Sequence, residues 1–200
     1  MKIIGLTGQS GAGKGTVAKI FSDHGIPHVN CDEIYHSMLK GGSDCTNALS
    51  AEFGCEILNA DGSIDRKKLG QVVFSGEGHK ERLEKLNRIS HSFVLARCRE
   101  LIKLYEDEGR TAVIIDAPTL FESGFNRECD VIIAVTAPYE IRLNRITERD
   151  GLAESKVKER FDNQLSETFF EENAHYVIRN DEDISALKKK TEEIIRENLF

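Results

Sequence analysis

With 200 residues, 40% of them hydrophobic and 30% charged, the chain has material for one α/β domain and a small insertion. A formal charge of −7 argues against a general nucleic-acid binder or a membrane-surface protein, because both surfaces repel a net anion. No apolar run approaches a membrane span, and residues 1–4 are too short for a signal peptide, so a cytoplasmic protein is expected.

The first apolar run, Ile3-Ile4-Gly5-Leu6, reads as a strand. It leads into Gly8-Gln9-Ser10-Gly11-Ala12-Gly13-Lys14-Gly15-Thr16, and Val17 to Phe21 continue with a helical apolar pattern that stops at His24-Gly25. Strand, glycine-rich turn and helix in that order make a phosphate-binding loop. Glycines let successive backbone N–H groups converge on phosphate oxygens, and the helix N-terminus adds a favourable dipole. Lys14 supplies a mobile charge for the β and γ phosphates. The usual pattern puts Ser or Thr directly after the lysine as a Mg²⁺ ligand. Here Gly15 intervenes, and the hydroxyl arrives one position later at Thr16.

Residues 26–30 form a short second strand, and Asp32 opens a helix to about Leu39. Gly41-Gly42-Ser43-Asp44 breaks it, and 45–110 contain no convincing strand. A helix is expected from Asp65 to Phe74, and a long one from about Glu77 to Glu106 with Leu83, Leu86, Ile89 and Phe93 among its apolar positions. Thr111 to Asp116 and Asp130 to Val135 are strands almost free of polar residues, as fits a parallel sheet covered on both faces. Helices follow from Pro138 to about Glu148 and from Ser155 to Leu165, then a strand at Tyr176 to Ile178 and an amphipathic helix from about Ile184 to Leu199. Five parallel strands flanked by helices is the natural assembly. The cysteines at 31, 45, 55, 98 and 129 are odd in number and lack C-x₂-C spacing, which points to reduced, packed thiols.

Several side chains have chemistry suited to such a loop. Asp32 is either a helix N-cap or a carboxylate that orients an acceptor hydroxyl and takes its proton. Asp116, at a strand end, is either a turn residue before Pro118 or a Mg²⁺ ligand beside the phosphates. Glu122 reads equally as a solvated loop charge. Arg142, Arg145 and Arg149 share one helix face, and Lys156, Lys158 and Arg160 continue the cationic series. Such groups would disperse phosphoryl charge from a lid, but the interleaved Glu140, Glu148 and Glu154 suit an ordinary solvated face. The histidines form no metal-ligand spacing.

Together these stretches resemble the dephospho-CoA kinases. The resemblance covers the loop, Gly25-Ile26-Pro27, Cys31-Asp32-Glu33-Ile34, Asp61 to Arg66 and Leu83 to His91. It continues through Asp116 to Glu122, Arg142-Leu143-Asn144-Arg145, Arg149-Asp150-Gly151, Arg160 with Gln164, and Tyr176 to Asn180. It implies a P-loop kinase that moves the γ-phosphoryl of ATP, with Mg²⁺, to the ribose 3′-hydroxyl of dephospho-CoA. The implied parts are a nucleotide core (1–31, 111–136 and 174–200), a helical acceptor-binding insertion (32–110) and a lid (137–173).

On the same basis Asp32, Lys14, Arg145 and Arg149 are the catalytic groups. Gly8 to Thr16 and Arg142 hold ATP, and Thr16 and Asp116 the metal. Asp32, His36, Arg66, His91, Phe121 and Glu122 face the acceptor. The chain departs from the family at Gly15 (usually Ser), at Asn30-Cys31-Asp32 (usually Asp-Ala-Asp), at His36 (usually Arg) and at Ser92 (commonly Pro). A P-loop kinase with another nucleoside or nucleotide acceptor is the alternative, and no Asn-Lys-x-Asp motif supports a guanine-nucleotide switch. Expected partners are ATP and dephospho-CoA, without nucleic acid or membrane, in a monomer or small homo-oligomer.

Overall fold

The protein, described by a computed structural model over residues 1–199, runs β1 (Lys2–Gly8), α1 (Lys14–Asp23), β2 (His28–Asn30), α2 (Cys31–Met38), α3 (Asp44–Phe53), α4 (Arg66–Phe74) and α5 (His79–Asp107). It continues with β3 (Ala112–Asp116), β4 (Val131–Thr136), α6 (Tyr139–Asp150), α7 (Glu154–Asp162), α8 (Glu167–Asn173), β5 (Tyr176–Arg179) and α9 (Ile184–Leu199). Phe200, the last residue of the expected core, lies outside the described residues. The chain divides into two compact units, Met1–Val29 with Ile102–Phe200, and Asn30–Leu101.

The first unit is built on the expected parallel sheet of five strands, in the order β2-β3-β1-β4-β5. β1 is central, paired with β3 from Lys2↔Ala112 to Leu6↔Asp116 and with β4 from Ile4↔Val131 to Gly8↔Val135. The chain crosses to opposite sides of β1 on its way to β3 and β4, which opens a crevice at the carboxyl end of β1, where the glycine loop begins. Every residue of β3 and β4 is buried, the signature of a sheet covered on both faces. One face carries a core of Ile4, Leu6, Val17, Phe21, Ile133, Ile178 and Ile195 against α1 and α9. Each such fully buried side chain contributes roughly 1.5–3 kcal/mol. Pro27 lacks an N–H, so β2 starts only at His28, although the Pro27 carbonyl still accepts from Ile114 N at 2.9 Å.

The second unit has its own core, with Leu49, Phe53, Ile57, Leu69 and Val73 buried against Leu83, Leu86, Ile89 and Phe93 of α5. Its helices start on side-chain caps: Asn30 for α2, Ser43 for α3 and Asp65 for α4. α5 begins at His79 rather than near Glu77 because Gly76 and Gly78 both hold positive φ, at 67° and 78°. α3 and α8 were not expected as separate helices, and the expected helix to Leu165 stops at Asp162. Among the described residues no helix is long and apolar enough to cross a membrane, and Cys31, Cys45 and Cys98 are buried.

Candidate active site

The loop between β1 and α1 is a backbone cradle. Gly11 and Gly13 hold φ values of 79° and 103°, and a Cβ on Gly11 would stand 2.8 Å from the Arg142 carbonyl oxygen. These positions require glycine. No side chain caps α1, so its first N–H groups face the loop without a protein acceptor of that kind. This is the arrangement that binds phosphate.

Lys14 extends from the first turn of α1 and is ion-paired with Asp116 Oδ1, while His28 Nε2 lies 3.4 Å from Oδ2 of the same carboxylate. β1 and β3 are neighbours, so the residue ending β3 and the loop leaving β1 share one sheet end. Asp116 is only 3% exposed. Burial works against its ionisation, but His28 and Lys14 outweigh that cost and hold the carboxyl below its ordinary range. Asp116 is therefore a buried charge with two partners, not a surface turn residue. His28 is a participant that sequence alone did not disclose.

Three side chains tie the α6–α8 segment and the end of β5 to the loop. Arg145 donates to Gly11 O at 3.3 Å. Gln164 accepts from Ser10 N at 3.2 Å and also donates to Ser10 Oγ. Asn180, just past β5 and 6% exposed, donates to Ala12 O at 2.7 Å. Gln164 lies just past the end of α7, which stops at Asp162 with Asn163 as its C-cap. Beside the loop opens a pocket of about 260 Å³ lined by Gly13, Thr16, Arg145, Asn180, Glu182, Ile184 and Leu187. Ile184 and Leu187 give it apolar walls, and Arg145, Asn180 and Glu182 give it polar edges.

The three arginines of α6 do not act as one face. Arg142 is buried, its Nε donating to Ala137 O at 3.0 Å and its guanidinium centred 4.2 Å from the Phe161 ring. Burial lowers its pKa. Arg149 is exposed and pairs with Asp150, which also attracts Arg160 at 3.5 Å. Among the described residues, Arg145 is the one of the three whose guanidinium donates to the loop, while Arg142 meets Gly11 through its backbone.

Phe121 makes an edge-on contact with Phe169 at 5.1 Å, and Glu122 beside it has its carboxyl pushed up by partial desolvation.

In the second unit, the N-cap alternative for Asp32 is excluded by geometry. Asn30 caps α2, its Oδ1 accepting from Asp32 N at 3.0 Å and Glu33 N at 3.2 Å. The Asp32 side chain is exposed and makes no ion pair among the described residues. His36 and Arg66 line one concavity together. His91 is half-buried, and burial lowers its pKa, so the ring is neutral near pH 7.

A family model described as dephospho-CoA kinase matches residues 2–186. The chain belongs to the dephospho-CoA kinase family. A dephospho-CoA kinase of Bdellovibrio bacteriovorus is 37% identical over 196 residues, covering 98% of this chain and 96% of that protein. One of Fusobacterium nucleatum is 39% identical over 190 residues, covering 95% of each. The solved dephospho-CoA kinase of Campylobacter jejuni superposes with a TM-score of 0.72 at 26% identity, over 98% of this chain and 97% of that one.

The departures from the dephospho-CoA kinase pattern now have physical content. A Cβ at Gly15 would meet nothing within 4 Å and its φ is ordinary, so the missing serine is not a steric demand. Cys31, where the family usually has Ala, is buried with Sγ 3.6 Å from Cys98 Sγ, so the exchange fills core space behind α2.

The donors suit Mg²⁺. Among the described residues no group of three or more His, Cys, Asp or Glu gathers for a metal. Asp116 and Thr16 offer hard oxygens, and Mg²⁺ characteristically takes the rest of its shell from phosphates and water.

Proposed function

We infer that this chain transfers the γ-phosphoryl group of ATP to the ribose 3′-hydroxyl of dephospho-CoA, giving CoA and ADP. The observation that carries the reading is the uncapped α1 behind positive-φ glycines, with Lys14 held on a buried Asp116, in a chain of the dephospho-CoA kinase family. The loop N–H groups grip the phosphates, and Lys14 leaves Asp116 for the β and γ oxygens as ATP enters. The adenine lies in the pocket between Arg145 and the Ile184–Leu187 wall, with Asn180 and Glu182 at its polar edge.

Asp116 and Thr16 would hold Mg²⁺, which neutralises phosphate charge when bound. Asp32 accepts the proton of the 3′-hydroxyl as its oxygen bonds to the γ phosphorus and the bond to ADP breaks. Its carboxylate suits this role because Asn30, not Asp32, caps the helix. Arg145 stabilises charge developing on the transferring group, and Arg149 joins it by leaving Asp150. Arg142 supports the nucleotide side indirectly, by bracing α6 against Phe161. His36, Arg66, His91, Phe121 and Glu122 face the acceptor in this reading. We further assign the insertion to acceptor binding, 137–173 to a lid, and the chain to a cytoplasmic monomer or small homo-oligomer.

A panel of acceptors assayed by coupled ADP release tests the reading. Dephospho-CoA is expected to exceed nucleosides and nucleoside monophosphates in kcat/KM. Background turnover with dephospho-CoA, alongside activity on another acceptor, overturns it.

A further inference from the structure

Asp116 is a buried carboxylate with two side-chain partners among the described residues, and the two differ in freedom. Lys14 meets Oδ1, and His28 Nε2 lies 3.4 Å from Oδ2. The lysine reaches the carboxylate from the first turn of α1 on a long flexible stem, so its ammonium can swing away. The imidazole is shorter and stiffer. It stands on β2 beside Pro27, whose carbonyl accepts from Ile114 N of β3 at 2.9 Å. Asp116 itself closes β3, and the backbone just after it is fixed by Ala117 N donating to Leu6 O at 3.0 Å. Histidine and carboxylate therefore sit on adjacent strands of one sheet, and the lysine is the movable member.

That difference matters when a nucleotide enters, because Lys14 then crosses to the phosphates. A carboxylate only 3% exposed cannot replace a lost donor with bulk water. Left without a partner it would carry an uncompensated buried charge, and that cost would be subtracted from the affinity for ATP. Oδ2 escapes this as long as His28 Nε2 carries a proton, because its donor comes from the sheet and not from α1. The same contact keeps the carboxylate from rotating once Oδ1 is vacated.

We propose that His28 is a positioning residue for phosphoryl transfer, holding Asp116 in one orientation while Lys14 passes from the carboxylate to the phosphates. The proposal rests on the nucleotide reading above. It gives a role to a histidine that lies between the stretches Gly25–Pro27 and Cys31–Ile34, outside both.

Calorimetric titration of ATP into the full chain, with His28→Val and His28→Gln beside the wild type, tests it. Valine suits a strand but offers no donor, and glutamine restores an N–H of similar reach. In EDTA, His28→Val is expected to weaken ATP binding about tenfold, the loss typical of one hydrogen bond to a charged group. The Tm of the nucleotide-free protein should fall little, because Lys14 still pairs with Asp116 there. His28→Gln recovers most of the affinity. With Mg²⁺ the carboxylate has a further partner, so the loss in His28→Val should shrink. In the wild type, long-range proton–nitrogen NMR of the imidazole with Mg-ATP bound should find a proton on Nε2.

Unchanged affinity in His28→Val, or a bare Nε2 in the ATP-bound wild type, overturns the proposal and leaves the nucleotide reading intact. An equal loss with and without Mg²⁺ also overturns it, because that marks general damage to the loop. A wild type that fails to bind ATP even with Mg²⁺ overturns the nucleotide reading, and the proposal with it. Should His28→Val melt early, or wild-type binding in EDTA be too weak to measure, the position of the imidazole proton decides alone.

Discussion

Replacing Gly15 by alanine isolates what the loop demands of its glycines. Gly15 is the second residue of α1, its φ is ordinary, and a Cβ there meets nothing within 4 Å. The substitution therefore removes backbone freedom from the unfolded chain without adding strain, and should stabilise by roughly 0.5–1 kcal/mol. For a chain of this size that raises Tm by about 1–4 °C. Gly11→Ala is the control. Its φ of 79° and the Arg142 carbonyl 2.8 Å from the added Cβ should cost about 1–3 kcal/mol and lower Tm. Urea or thermal unfolding monitored by circular dichroism, in the absence of nucleotide, reads both. A Gly15→Ala protein less stable than wild type would refute the reasoning, because it would mean the first turn of α1 does not tolerate a side chain.

Gly15→Ser places a hydroxyl where the loop pattern usually has one, and the Mg²⁺ concentration for half-maximal activity should fall; no change would separate that position from the metal. Asp32→Asn should lower kcat by about 10²-fold or more with little change in ATP affinity, whereas equal losses in a binding titration and in rate would mark a structural role. Arg142→Ala should cost roughly 1–3 kcal/mol of stability by removing the cation over Phe161 and leaving the Ala137 carbonyl unpaired. Full stability with impaired ATP binding would instead make Arg142 a direct ligand. Asp116 has its folded pKa below the unfolded value, so its stabilisation is present above pH about 4 and lost as pH falls through the folded value. Unfolding free energies of wild type and Asp116→Asn should therefore converge toward acid pH, and a gap that widens there would reverse the assignment.

The sheet and the loop were readable from sequence because both depend on local rules. Unbroken apolar runs announced β3 and β4, and glycine spacing between a strand and a helix announced the cradle. What stayed hidden depends on partners distant in sequence. Periodicity put Arg142 on a face with Arg145 and Arg149, but Phe161 draws Arg142 into the interior and Asp150 holds Arg149 aside. His28 looked inert until β2 carried it to Asp116. Gln164, just past α7, meets Ser10 across 154 positions of sequence, a contact that no helix propensity records. The cap of α2 was misleading for a different reason. Asn and Asp are both good caps, and only the backbone distances identify Asn30 as the one in use.

The central position of β1 has a consequence for the chain as it is made. The glycine loop hangs from β1, yet that strand's neighbours, Ala112–Asp116 and Val131–Thr136, follow the whole of Asn30–Leu101 in sequence. The nascent loop therefore lacks its flanking strands until β3 and β4 have been made, while the contiguous stretch Asn30–Leu101 already has its own core to assemble. The unit that is contiguous in sequence can close its core before the unit that is split by it.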